Sequence, residues 1–195
     1  MLEGVIQRVA PAQSTMRKPD ASSAPLASQT FDELFLSTYP RLVAILRRML
    51  GDSGRAEELA SEAFLKLHAT KLPPSAKANV PGWLYRTAMN LGIDDLRARM
   101  RHYRVMQQAG SPSDTSATED GLQTLLRTER QQRVRCVLAK LKPESAQILL
   151  LRASGYSYKE LAQHLELAPA SVGTKLMRAE AAFEKEYLEL FGSKD

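Results

Sequence analysis

Residues Ser157 to Phe183 read SYKELAQHLELAPASVGTKLMRAEAAF, and this stretch decides the fold. It holds two short helical patterns, Ser157 to Leu165 and roughly Pro169 to Tyr187, separated by only a few residues. Small Ala162, Leu165 and Leu167 around the turn, and Val172 and Leu176 beyond it, have the spacing with which two crossed helices pack. That is a helix-turn-helix layout. It leaves Ala170, Ser171, Gly173, Thr174, Lys175 and Arg178 projecting from the start of the second helix, the part that enters a major groove in such motifs. A plain helical hairpin has the same core spacing and stays open as the alternative.

Working outward, the other segments also read as helix, because apolar residues recur at three and four and no strand alternation appears. Leu122, Leu125, Leu126, Val134, Val137, Leu138 and Leu141 mark a long helix ending before Pro143. Pro143 to Ala153 makes the next, with Gly155 after it, so residues 122–190 form one helical domain. Upstream, Gln107 to Gly121 (QQAGSPSDTSATEDG) is polar, carries Asp114, Glu119 and Asp120 and no basic residue, and reads as a flexible acidic linker. A second helical domain covers residues 30–106. It opens on Thr30 and Glu33 at capping-box spacing, and Tyr39-Pro40 is expected to interrupt or kink its first helix. Gly51 stops that helix, with Asp52 or Ser53 to cap the next, whose buried face is Ala56, Leu59, Ala60, Ala63, Phe64 and Leu67. Pro81 opens a long helix to about Arg104. Residues 1–29 have no periodicity and read as a disordered arm. The expected fold class is all-α: two small helical domains joined by a flexible acidic linker, the second containing the helix-turn-helix.

At about 100 degrees per residue, Asn90, Arg97, Arg101 and Arg104 fall within about 60 degrees of Arg86 on the long helix. Leu84, Ala88, Leu91 and Leu96 lie mostly on other faces, and Trp83, Tyr85 and Tyr103 flank the stripe. Arginines neutralise phosphates while an asparagine can pair with a base edge, so the stripe suits nucleic acid. An ordinary solvated helix face produces the same pattern and is the competing interpretation.

Composition sets the boundaries. The 195 residues carry 27 Lys plus Arg against 22 acidic residues, a net charge of +5 that favours a polyanionic partner. Cys136 is the single cysteine and reads as a packing residue; His68, His102 and His164 are isolated, so no metal site is expected. No apolar run approaches a membrane span and no secretory leader is visible, which points to the cytoplasm. There is no nucleophile beside a base and no Gly-rich phosphate loop. The expectation is a protein that is not an enzyme and uses no cofactor.

EELASEAFLKLH (57–68), VPGWLYRTAMNLGIDDLRARMR (80–101), the linker, and LAKLKPESAQILLLRASGYSYKELAQHLELAPASVGTKLMRAE (138–180) together resemble a bacterial sigma-70 family protein of the extracytoplasmic-function group. The order and spacing match over residues 31–188. The resemblance implies two domains that bind the minus-10 and minus-35 promoter elements while docked on core RNA polymerase, with an anti-sigma factor as a further partner. It implies that Glu58, Ser61 and Glu62 meet the polymerase, where the family more often has Asp, Gln and Glu. It places Arg86, Asn90, Arg97, Arg101 and Arg104 at minus-10, with the loop Lys71 to Asn79 forming the pocket for a flipped base. Ser171, Thr174, Lys175 and Arg178 would contact minus-35.

Two departures stand out against the family's usual recognition helix. Gly173 and Glu180 stand where it has basic residues, and Glu166 stands where the turn usually has glycine, so a residue with a side chain has to take a left-handed conformation. Each lost phosphate contact lowers the salt slope by about 0.9. Two other functions compete: an autonomous helix-turn-helix regulator, and a sigma-like decoy that binds an anti-sigma protein without DNA.

Overall fold

A computed structural model describes residues 31–70, 72, 78–108 and 119–192, with the helical parts of 103–127 described as backbone. The order is α1 (Phe31–Leu50), α2 (Ser53–Ala69), α3 (Val80–Gln108), α4 (Glu119–Lys140), α5 (Pro143–Ala153), α6 (Tyr158–Leu165), a 3-10 turn (Pro169–Ser171) and α7 (Val172–Phe191). No strand occurs among the described residues. The arm 1–29, the Thr30 cap, residues 71 and 73–77 of the pocket loop and the linker core 109–118 lie outside them. The helices reach further into the linker than expected, to Gln108 on one side and back to Glu119 on the other.

The first domain is a three-helix pack. Leu42, Ile45, Leu46, Met49 and Leu50 of α1, Ala56, Leu59, Ala60, Ala63 and Phe64 of α2, and Leu84, Ala88, Met89, Ile93 and Leu96 of α3 are buried together. Each set repeats at three and four, so one stripe per helix faces the centre. Burying each larger aliphatic side chain contributes about 1.5 to 3 kcal/mol. The alanines let backbones approach, and Gly92 goes further: a Cβ there would overlap Met49 Cε and Leu46 Cδ2.

Contrary to expectation, Tyr39-Pro40 does not interrupt α1, which runs unbroken through Pro40. Proline removes a single donor, whose acceptor would be the carbonyl of Leu36. Leu36 and Pro40 are both exposed, so that carbonyl lies on the solvent side, and the buried stripe on the other face holds the helix together. The α1–α2 turn follows the sequence: Gly51 adopts φ +72, and Asp52 caps α2 by accepting from the Arg55 backbone N–H at 3.0 Å. Arg55 and Arg99 converge on Asp95 at 2.8 and 2.7 Å, and Arg99 also reaches Asp52 at 3.1 Å, tying α2 to α3. The Arg55 N–H and the Arg99 guanidinium hold the Asp52 carboxyl below the ordinary aspartate value.

In the second domain Val137, Leu138, Leu141, Ala146, Ile148, Leu149, Leu150, Leu151, Leu161, Ala162, Val172, Leu176, Ala179 and Phe183 are buried. Ser157 and Glu160 form a capping box that starts α6, a signal present in the spacing of Ser157-Tyr158-Lys159-Glu160. Glu166 ends α6 at φ 54, the left-handed conformation anticipated from the missing glycine. The two domains do not stand apart. Their buried residues form one continuous cluster, joined where α3 meets α4, α5 and α6.

Replacing Gly92 with valine is expected to destabilise the protein by about 1 to 3 kcal/mol, because the added methyls overpack α1 against α3. Urea denaturation of the purified variant checks this, and an unchanged midpoint would mean the helices can separate without cost.

Candidate nucleic-acid interface

Arg86, Asn90 and Arg97 share one face of α3, as the 100-degree steps predict, and that face is turned toward the second domain. Arg86 donates to the His164 carbonyl at 3.1 Å and pairs with the Glu166 carboxylate at 2.8 Å. Asn90 Oδ1 accepts from Gln147 Nε2 at 2.7 Å, and Gln147 is only 5% exposed. Arg97 donates to the carbonyls of Ala139 and Leu141 at 3.0 and 3.1 Å, closing the C-terminal end of α4, and pairs with Asp94 at 3.3 Å. Further along, Arg101 is exposed, and the side chain of Arg104 lies outside the described residues.

The same device recurs around the seam. Arg135 of α4 donates to the Met49 carbonyl at the end of α1 at 3.1 Å, its guanidinium lying where any Cβ on Gly51 would fall. Arg48 of α1 donates to the Ala153 carbonyl at the end of α5. Asn79 caps α3 through the Gly82 N–H at 3.0 Å and donates across to the Gln163 carbonyl at 2.6 Å. Sequence reasoning missed Arg135 and Gln147 and gave Asn79 only as the end of the pocket loop, although a glutamine inside the apolar run Ala146 to Leu151 signals a buried polar partner.

The sequence pattern predicts Tyr85 as an aromatic flank to the stripe. The structure instead buries it at 2% exposure, with its hydroxyl 2.7 Å from that of Tyr156 and its ring 4.3 Å from that of His164. It belongs to the seam because residue 85 sits one helical step from Arg86, toward α6. Burial, then the Tyr156 neighbour, pushes the Tyr85 hydroxyl far above the ordinary tyrosine value. Burial lowers His164 to about 4, with Glu160 opposing and Arg41 and Arg86 reinforcing the shift.

On α7, Thr174, Lys175 and Arg178 are exposed, as is Met177 at 62%. Ser171 is half-buried and donates its hydroxyl to the Ala168 carbonyl at 2.8 Å, so it shapes the turn. On α2, Glu58 and Ser61 are exposed and Glu62 is half-buried. Glu58 pairs with Arg55 at 2.7 Å and Glu62 with Lys66 at 3.4 Å, while the Ser61 hydroxyl donates to the Glu57 carbonyl at 2.8 Å. Leu65 continues that face at 69% exposure. Cys136 is half-buried with Sγ 3.2 Å from Met100 Sδ, and no described helix is long and apolar enough to cross a membrane.

Residues 34–102 match the family description Sigma-70 region 2, and residues 131–183 match Sigma-70, region 4. The chain is 30% identical over 156 residues, 80% of its length and 83% of the relative's, to the ECF RNA polymerase sigma factor EcfG of Rhodopseudomonas palustris. The chain belongs to the sigma-70 family. Within it the protein is a sigma factor of the extracytoplasmic-function group, which directs core RNA polymerase to promoter DNA. The sigma-H factor of Pseudomonas aeruginosa is 24% identical over 165 residues, 80% of this chain and 86% of that relative. The ECF sigma factor SigW of Bacillus subtilis is 25% identical over 158 residues, 77% and 84%. A solved complex of the sigma factor RpoE with the anti-sigma factor NepR from Bartonella quintana aligns with TM-score 0.42 at 19% identity, over 83% of this chain and 98% of the solved one.

The buried histidine makes the sigma factor acid-sensitive in a defined window. An unfolded histidine titrates near 6.5 and the folded one at about 4, so as pH falls the unfolded state takes the proton first. Stability from this site is complete above pH ~6.5 and is lost on descending toward pH 4, with about 2 kcal/mol gone by pH ~5. Urea melts between pH 7.5 and 5 measure the slope. His164→Gln should flatten it, and the same slope in that variant would assign the loss to other groups.

Proposed function

We propose that the α3 stripe is the minus-10 surface of this sigma factor, with Arg86, Arg97, Arg101 and Arg104 on phosphates and Asn90 at a base. The observation that carries this reading is the stripe itself: a charged face beside an asparagine, on the longest helix of the segment that matches region 2. Guanidinium groups hold the sugar-phosphate track, and an amide with both a donor and an acceptor can satisfy the edge of an unpaired base. Unstacking a base costs a few kcal/mol, so a surface that rewards the extruded state assists strand opening.

The exposed Thr174, Lys175 and Arg178, with Ser171 supporting the turn, enter the minus-35 major groove. Loss of cations at Gly173 and Glu180 lets this domain position the duplex more than grip it. Glu58, Ser61 and Glu62, with Leu65 beside them, dock on core polymerase. The factor acts in the cytoplasm, performs no catalysis, uses no cofactor, and takes an anti-sigma factor as a further partner, as the solved Bartonella quintana protein does.

Transcription starts mapped in cells overproducing the chain supply its promoter. With that promoter and purified core polymerase, Asn90→Ala combined with Arg101→Ala should lower open-complex formation about tenfold or more, read by permanganate footprinting. Normal opening by the double variant would remove the stripe from the minus-10 role. Glu58→Lys with Glu62→Lys should weaken retention on immobilised core polymerase while leaving the helical circular dichroism unchanged. The chain alone should barely shift the promoter duplex in a gel. Tight, specific binding without polymerase would favour an autonomous regulator instead.

A further inference from the structure

Where the end of α1 meets α4, α5 and α7, the fold leaves a cleft of about 90 Å³. One water needs only ~10 to 15 Å³, so the space takes a short chain of atoms. Most of its lining is apolar: Met49, Leu138, Leu149 and Phe183 border it, and all four are buried members of the core cluster. The cleft is therefore a gap in packed apolar surface rather than a dent in a solvated face.

Two cations line the same cleft, Arg48, which is exposed, and Arg135, which is half-buried. Arg135 gives its Nε–H to the Met49 carbonyl, and Arg48 gives one Nη1–H to the Ala153 carbonyl. Among the described residues neither has a carboxylate within ion-pair distance, whereas Arg55, Arg86, Arg97, Arg99 and Arg133 each have one. Burial and the nearby Arg99 guanidinium lower the pKa of Arg135, as expected of a cation short of counter-charge. Arg135 is also held in place, because its guanidinium fills the space beside Gly51 that a Cβ would need. A planar guanidinium presents paired N–H groups that match the two oxygens of a carboxylate. An exposed arginine alone holds such an anion weakly, but two guanidiniums beside an apolar slot suit an ion that carries a tail.

We propose that this cleft is a binding site for a small amphipathic anion, a medium-chain aliphatic carboxylate, with its head on Arg48 and Arg135 and its tail against Met49, Leu138 and Leu149. The site is independent of the promoter reading, since none of its residues belongs to the α3 stripe, the α7 cations or the polymerase-facing side of α2.

The test is isothermal titration of the full-length chain with octanoate, its shorter homologues heptanoate and hexanoate, and 1-octanol. Octanoate should bind at one site per chain, and octanol, which has the same tail without the charge, about fivefold or more weakly. Each methylene removed from the carboxylate should weaken binding about three- to fourfold, the equivalent of ~0.8 kcal/mol per buried CH₂. Arg48→Gln, on an exposed side chain, should weaken octanoate about fivefold and leave octanol unchanged. Val134→Phe, which fills the cleft from α4, should abolish both, with circular dichroism confirming that each variant keeps its helices. Shifts of the Met49, Val134 and Leu138 methyl resonances on adding octanoate should place the ligand in the cleft. No saturable binding, or octanol binding as tightly as octanoate, overturns the proposal. Nuclear Overhauser contacts from the Leu138 and Leu149 methyls to residues 1–29 would give the cleft to the N-terminal arm instead. The same contacts between differently labelled copies would give it to a second chain, and either result overturns the carboxylate site.

Discussion

An α-helix ends with four carbonyls that no residue of the helix can satisfy, and these carry the negative end of its dipole. Most of the arrangement between the two domains of this sigma factor follows from that fact. Arg97 closes the end of α4, Arg135 the end of α1, Arg48 the end of α5, and Arg86 the end of α6, each arginine coming from the opposite domain. Guanidinium suits the task because its planar fork reaches two acceptors at once and stays charged when half-buried. Burial and the neighbouring Arg99 lower the pKa of Arg135, yet an arginine begins so high that it remains a cation.

This polar frame surrounds an apolar seam of modest size. At its centre Tyr156 meets Tyr85 and His164 edge to face, Tyr85 lies tilted against His164, and the two hydroxyls are bonded to each other. Aromatic pairs of this kind add about 0.5 to 1.5 kcal/mol beyond their buried area. Around it lie hydrogen bonds from arginines to main-chain carbonyls, whose net worth is about 1.5 to 3 kcal/mol each because water competes for both partners, together with the Arg86–Glu166 pair and the amide contacts of Gln147 and Asn79. An interface built this way resembles a transient contact more than a domain core, and can form and release without either domain unfolding.

Much of the fold was legible in the sequence because helices announce themselves locally. Apolar spacing gave α2 its buried face, Asp52 and Gly51 marked the first turn, Pro143 the start of α5, and Glu166 its left-handed turn, all from residues within one or two turns of each other. Pro40 misled because its penalty is a single backbone bond on the solvent side, while the compensating burial comes from α2 and α3. The stripe on α3 was visible as an angular pattern, but what faces it was not. Its partners are Gln147, Ala139, Leu141, His164 and Glu166, 42 to 80 residues away, and three of the acceptors are main-chain carbonyls, which carry no sequence signature. Tyr85 was misplaced for the same reason, since an aromatic beside a cationic stripe looks alike whether it awaits a base or a tyrosine from another domain.

Glu166 connects these levels. Holding a non-glycine residue in the left-handed region costs about 1 to 2 kcal/mol, and a half-exposed ion pair typically returns no more than about 1 kcal/mol. On those magnitudes the Arg86 contact does not repay the turn, and glycine would serve the helix-turn-helix better if that motif acted alone. The residue makes sense when the two domains are considered together. On α7 the cations are thin, with Gly173 and Glu180 in the recognition helix, while on α3 they are dense, and two of them, Arg86 and Arg97, are engaged by the second domain. A carboxylate at the α6 turn pairs with one guanidinium of the dense surface and so adds a contact between the domains. The strain is local, whereas its electrostatic return comes from the other domain, so the side chain disfavours the turn slightly and favours the contact between the domains.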